Sequence, residues 1–447
     1  MTDPTARRLH ALLAAEQVRA RMPSLVAGLV REGELVWTGQ HGDRAGGPTP
    51  SPGVQYRIGS ITKTITALLV MQLRDERMLE LGDPVGRHLP GVGYGDRTIR
   101  SLLSHSSGMQ SEPAGPWWER SPGMDYARLE QAMDDSAPPF EPGATYHYTN
   151  LAFGILGELV ARLRGGPWWE QARSRVLEPL GMDRTGYLPE QPHATGYSVH
   201  HFAGTLTEEP AQDTGAMAPA GQLWSTVEDL ARLAAFLAGG DDAVLADETL
   251  DEMCTPQSGT LEAGLAGGYG LGLRLVPGGS GTLAGHTGSM PGFLAGILVD
   301  RTRRTAAVCL ANGTAGLRCE GLPVDLLAEL EQSEPSLAPA WTPVSEVPGR
   351  VAEILGPWHW GNTALGFSWD GREVVVAALA TGAVTFRLRP DPDGSFVGAA
   401  GYHHGERLHV VRDRQGRINH LTCATFVYTR APYDPAAPIP GGAPSSR

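Results

Sequence analysis

Apolar positions from about Pro4 to Arg21 fall on one side of a helix, and the pattern predicts an amphipathic one. The runs Ser24–Val30 and Glu34–Gly39 flank the polar turn Arg31-Glu32-Gly33 and predict a β-hairpin. From Ser60 to Arg74 the period is helical, with Ile61, Ile65, Leu68, Leu69 and Leu73 three and four residues apart. Between about 80 and 225, short helical stretches such as Leu151–Arg164 alternate with Gly- and Pro-rich loops. Ser225-Thr226-Val227-Glu228 has the form of a capping box opening a helix over Thr226–Ala238. Strands then return at Tyr269–Leu275, Thr282–Thr287, Phe293–Asp300 and Thr305–Ala311, followed by a helix near Val324–Gln332. This order predicts an α+β domain over residues 1–332. Its mostly antiparallel sheet is flanked by helices, with a helical region inserted and packed on one side.

The pattern changes after residue 332. Residues 333–348 carry Pro335, Pro339, Pro343 and Pro348 and read as a linker. Residues 349–433 are rich in β-formers, with runs at Glu373–Ala378, Val384–Arg389, Arg407–Arg412 and Thr422–Thr429 between DG, DPDG and HHGE turns. They predict a small all-β unit, a barrel or half-barrel. Residues 434–447 are expected to be a disordered tail.

Composition narrows the partners. The chain of 447 residues is 41% hydrophobic and 19% charged, as expected of a soluble globular protein of two domains. Its formal charge of −13, without basic runs, argues against nucleic acid or an anionic membrane as partner. No apolar run reaches the length of a spanning helix, and the N-terminal stretch reads as a helix rather than a signal peptide. Cys254, Cys309, Cys319 and Cys423 are scattered and read as buried free thiols, so a cytoplasmic location is expected. His200-His201 and His403-His404 lack partners at metal-ligand spacing and read as surface loop residues; no metal or cofactor is expected.

One residue count bears on chemistry. Lys63 is the only lysine, all other basic residues being arginine. Arginine replaces lysine wherever charge alone is needed, but only lysine can become a neutral amine base. Ser60-Ile61-Thr62-Lys63 sets hydroxyl and amine three residues apart, on one face at a helix start. Serine needs such a base to become a nucleophile, and a helix N-terminus favours developing negative charge. Tyr148-Thr149-Asn150, taken alone, reads first as a core tyrosine and a helix cap; it also offers a phenol for proton transfer and an amide for the lysine or the substrate. Gly285-His286-Thr287-Gly288-Ser289 on a strand lets a carbonyl approach backbone that glycine leaves open. The N–H groups of Ser289 and Ser60 would then form an oxyanion hole.

In this order SxxK, YxN and HTG resemble the signature of the penicillin-binding protein and class C β-lactamase superfamily. Three further segments resemble that group: Leu102-Leu103-Ser104-His105-Ser106-Ser107-Gly108-Met109, Pro219-Ala220-Gly221-Gln222-Leu223-Trp224-Ser225-Thr226, and Tyr269-Gly270-Leu271-Gly272-Leu273. The resemblance spans about residues 10–330. It implies acylation of Ser60, acid and base work shared by Lys63 and Tyr148, and positioning by Asn150. His286, Thr287, Gly288 and Ser289 would border the substrate. His286 stands where class C β-lactamases carry lysine, which resembles the DD-peptidases, D-aminopeptidases and esterases instead. His105 and Gly108 are assigned to loop structure. Trp117, Trp118 and Trp224 are candidates for the cleft or for core packing. The C-terminal unit resembles the lipocalin-like domains attached to some relatives, through Gly356-Pro357-Trp358. The expected function is hydrolysis of a small ester or peptide substrate through an acyl-enzyme. An acyltransferase or macrocyclising thioesterase, a β-lactamase, and a non-catalytic penicillin-binding sensor are the alternatives. Oligomeric state is left open.

Overall fold

A computed structural model describes residues 1–43, 47–133, 135–259, 268–279, 281–314, 316–337 and 340–433. The chain divides into two compact units, Met1–Leu337 and Ala338–Arg447.

The first unit is organised on a seven-stranded antiparallel sheet. Its strands are β1 (Ser24–Arg31), β2 (Glu34–Gly42), β5 (Gly268–Tyr269), β6 (Arg274–Gly278), β7 (Gly281–Met290), β8 (Phe293–Asp300) and β9 (Thr305–Ala311), in the order β2-β1-β9-β8-β7-β6-β5. A separate two-stranded ladder joins β3 (Tyr56–Arg57) to β4 (Trp224–Ser225). Along β1, Leu25, Ala27 and Leu29 face one side of the sheet and Val26 and Val30 the other, the period-two pattern of a strand covered on both faces. On the first side lie Leu9 and Leu13 of α1 (Asp3–Ala20) and Leu322, Leu326 and Leu330 of α5 (Gly321–Ser333). On the second side lies the helical region, built around α2 (Thr62–Asp75), α3 (Asn150–Arg164) and α4 (Val227–Gly239). Helices therefore flank the sheet on both faces, with the helical region packed on one of them, as the pattern predicts. Each fully buried Leu, Ile or Val in these layers contributes about 1.5–3 kcal/mol relative to an exposed one.

Two local expectations change. The stretch Tyr269–Leu275 is not one strand, because its middle bonds elsewhere: Leu271 N–H donates to Met253 O and Gly272 N–H to Leu103 O. A Cβ at Gly272, whose φ is +76°, would lie 2.1 Å from Ala67 Cβ, so the chain here is pressed onto α2. The cap of α4 is Thr226, whose hydroxyl accepts from Asp229 N–H at 3.1 Å; Asp229, not Glu228, sits at the third helical position.

The second unit is an eight-stranded up-and-down antiparallel sheet: β10 (Gly356–Trp360), β11 (Thr363–Trp369), β12 (Val374–Ala378), β13 (Val384–Pro390), β14 (Phe396–Gly401), β15 (Arg407–Arg412), β16 (Ile418–Cys423) and β17 (Phe426–Tyr428). His359 and Thr429 exchange backbone hydrogen bonds at 2.8 and 3.0 Å and bring first and last strands together, so the sheet is a nearly closed barrel. Trp358, Phe367, Phe386, Leu388, Phe396 and Leu421 fill its interior. Among the described residues no helix is long and apolar enough to cross a membrane.

Candidate active site

Strand β3 enters a single 3₁₀ turn, Gly59–Ile61, that runs straight into α2. Gly59 has φ +52°, and a Cβ there would lie 2.6 Å from Ser289 N, so only glycine lets the turn meet β7 this closely. A Cβ at Gly288 would lie 1.9 Å from Ile58 O. These two glycines let the turn that carries Ser60 lie directly against the backbone of β7 at Ser289. Strand β6 pairs with β7 only as far as Gly285, so from His286 onward β7 has a sheet partner on one side only. Met290 pairs with Phe293 across the two-residue turn Pro291-Gly292. The alternation of antiparallel pairs then turns the N–H and C=O of Thr287 and Ser289 away from β8, toward the Ser60 turn.

Lys63 is fully buried on α2. Its Nζ donates to Ser60 Oγ at 3.0 Å, Asn150 Oδ1 at 2.6 Å and Ala220 O at 2.6 Å. Burial brings its ammonium down from the usual lysine range to about 7, while the charges of Glu112 and Glu119 pull in the opposite direction. Tyr148 hydrogen-bonds Ser60, and burial pushes its phenol well above the usual range, so it is a protonated donor at neutral pH. Its ring lies 5.0 Å from Lys63 Nζ. Asn150 opens α3 behind the N-cap Thr149, and its Nδ2 donates to Glu112 Oε1 at 2.6 Å.

His286 is brought to this site but carries no charge. Its Nδ1–H donates to Thr287 O at 2.6 Å, which leaves Nε2 to accept the Tyr269 hydroxyl at 2.8 Å. Burial first, then the charge of Lys63, holds its pKa down at about 3.

Three contributors were not marked as functional by the sequence. Glu112 binds Asn150 through one oxygen and accepts Trp118 Nε1–H at 2.7 Å through the other. Glu119, half-buried and raised in pKa by desolvation, accepts from Trp117 Nε1–H at 3.0 Å. His105, read as a loop residue, is fully buried at φ +54° and accepts Thr149 N–H on Nδ1 at 3.1 Å. Its ring stacks on Tyr148 with centroids 4.2 Å apart, so it clasps the Tyr148–Asn150 turn from behind. Gly108 has a loop role only: at φ +72° a Cβ would meet Phe140 O at 2.2 Å. Of the tryptophans, Trp118 and Trp224 are buried and Trp117 is exposed. Trp224 packs edge-on against Phe293 at 5.1 Å. His200 and His201 are exposed as expected, whereas His403 is buried in the barrel unit.

Among known proteins, the family model described as Beta-lactamase matches residues 9–330, and a domain of unknown function, DUF7586, matches residues 347–430. Penicillin-binding protein 4 of Amycolatopsis lactamdurans is 30% identical over 283 residues, 58% of this chain and 72% of that protein. Esterase EstB of Burkholderia gladioli is 32% identical over 229 residues, 44% and 58% of the two chains. A D-stereospecific amidohydrolase from Streptomyces sp. superposes with a TM-score of 0.61 at 28% identity, over 75% of this chain and 100% of that one. The chain spans about half the length of several other curated relatives it matches. On the extent of the family match and the fold that carries it, the chain belongs to the beta-lactamase/transpeptidase-like family of serine hydrolases.

Proposed function

We propose that this protein hydrolyses small amides or esters of amino acids, D-residues in particular, through an acyl-enzyme on Ser60. The observation that carries the reading is Lys63: a fully buried amine, titrating at about 7, within 3.0 Å of Ser60 Oγ. As the neutral amine, Lys63 takes the Ser60 proton while Oγ attacks the substrate carbonyl carbon. The oxyanion forms between the N–H groups of Ser60 and Ser289. Tyr148, bonded to Ser60, passes a proton to the leaving amine or alcohol and is reprotonated from Lys63. Water then attacks the acyl carbon, its proton passing through Tyr148 to Lys63, and Lys63 returns a proton to Ser60 Oγ as the acid leaves.

Charge argues for the substrate class. A neutral His286 supplies no cation beside Thr287 for a substrate carboxylate, which disfavours β-lactams and peptides with a free C-terminus. Glu112 and Glu119 both act electrostatically on Lys63, and their negative charge near Ser60 favours a substrate that carries an α-ammonium group. The D-stereospecific amidohydrolase among the relatives supports the stereochemistry. Turnover of D-phenylalanine amide, its L-isomer, its N-acetyl derivative and nitrocefin tests the reading. The free-amine D-amide is expected to be the best of the four; preference for nitrocefin or the N-acetyl compound would overturn the assignment of substrate.

A further inference from the structure

Far from Ser60 in sequence, the barrel unit gathers a second set of reactive side chains. The turn between β14 and β15 carries His403 and Glu406, and β16 ends at Cys423, which pairs with Leu408 of β15. His403 is 1% exposed and Cys423 fully buried, while the Glu406 side chain is 44% exposed. His403 Nδ1 lies 2.5 Å from Glu406 Oε2, and Cys423 Sγ lies 3.7 Å from the same oxygen. Imidazole nitrogen, carboxylate oxygen and thiol sulfur all fall within 4.8 Å of one another. Among the described residues, no arginine forms an ion pair with Glu406; neighbouring Arg407 is paired with Asp391 and Asp393.

The other ring nitrogen of His403 is also held, 2.6 Å from the Tyr428 hydroxyl. Metal-bound histidines have that arrangement: one nitrogen on the ion, the other fixed by an oxygen partner that sets ring orientation. The turn is preformed. Gly398 N–H donates to Glu406 O, Gly405 N–H to Gly398 O and Glu406 N–H to His403 O. A Cβ at Gly398 would lie 1.6 Å from His403 O, so turn and strand are in direct backbone contact.

We infer that His403, Glu406 and Cys423 form a binding site for a divalent transition-metal ion, zinc by the mixture of nitrogen, oxygen and sulfur donors. Such donors lie roughly 3.4–3.6 Å apart around tetrahedral zinc. Glu406 Oε2, now 2.5 Å from His403 Nδ1, would draw back toward that spacing, which its partly exposed side chain allows, and water would complete the coordination. In the metal-free state His403 carries its proton on Nδ1, toward Glu406, and accepts from Tyr428. On binding, Nδ1 takes the ion, the ring proton moves to Nε2 and is donated to the Tyr428 oxygen, and the Cys423 thiol proton leaves to solvent. The ion would tie the β14–β15 turn to β16 and brace a unit too small for a large core.

Cobalt reads the site directly. Full-length protein stripped with EDTA is titrated with Co²⁺ and then with Zn²⁺. The expected result is a near-ultraviolet thiolate-to-cobalt charge-transfer band that saturates at about one equivalent and is removed by Zn²⁺. Cys423→Ser should lose the band while melting like metal-free wild type. Glu406→Gln, altered at the exposed ligand, should weaken Co²⁺ binding at least about tenfold. No band at stoichiometric Co²⁺, or a band that survives in Cys423→Ser, overturns the site. Should Cys423→Ser fail to fold, Glu406→Gln decides, and unchanged affinity there overturns it equally.

Discussion

Lys63 has three acceptors, Ser60, Asn150 and Ala220, which is the number an ammonium can satisfy. Losing one proton frees a lone pair while two donors remain bound, and Asn150 Oδ1 and the Ala220 carbonyl, which can only accept, keep them. The lone pair therefore turns to Ser60, the one partner that can donate. Activity should rise with pH through about 7, as the neutral amine becomes the major form, and then level off. Lys63→Arg keeps the charge and removes the titratable amine, so kcat/KM should fall on the order of 10²–10⁴-fold. Steady-state rates on a p-nitrophenyl ester measure this, and near-normal turnover would reduce Lys63 to an electrostatic partner. Glu112 supplies a second check because its charge raises the Lys63 pKa. Glu112→Gln keeps the shape, removes the charge and should shift the acid limb of the pH–rate profile to lower pH. It should also raise KM for free-amine substrates more than for their N-acetyl forms. An acid limb that stays in place or moves upward would contradict the assignment of that limb to Lys63.

Strand β7 serves the site through what it lacks. Gly288 has no Cβ to strike Ile58 O at 1.9 Å, and this lets β7 lie against the segment that leads into Ser60. Gly288→Ala should cost about 1–3 kcal/mol of stability through overpacking. It should also lower kcat about 10²–10³-fold, the typical loss of one oxyanion donor. Thermal unfolding alongside kinetics separates the two effects, and a variant that is destabilised but fully active would place the oxyanion hole elsewhere. The hydrophobic runs of β1, β8 and β9 announced this sheet, because strands covered on both faces are continuously apolar. The break inside Tyr269–Leu275 was hidden, since Gly270 and Gly272 allow backbone bonds to Met253 and Leu103 that no periodicity records. The same contrast holds in the site. Ser60, Lys63, Tyr148 and Asn150 sit at element starts, where spacing is informative. Glu112 and His105 lie in loops without a period, and their importance depends on which turn the fold lays against them.

Each unit of the molecule closes its own core. Residues 1–337 hold the sheet, both helical layers and the Lys63 hydrogen-bond cluster, and residues 349–428 hold the filled barrel. The D-stereospecific amidohydrolase matched over its full length corresponds to only 75% of this chain, so a relative of that size folds without a counterpart to the remaining quarter. A chain ending at residue 337 loses no hydrogen bond of the Lys63 cluster and no strand of the seven-stranded sheet. It should therefore fold cooperatively and react at Ser60. Intact-mass spectrometry after treatment with a fluorophosphonate should find one adduct on the truncated protein and none on its Ser60→Ala variant. Comparing the labelling rate with that of the full chain then isolates the barrel's contribution. An equal rate assigns the acylation chemistry wholly to the first unit. A truncated protein that is folded by circular dichroism yet forms no adduct would mean that the barrel completes the site.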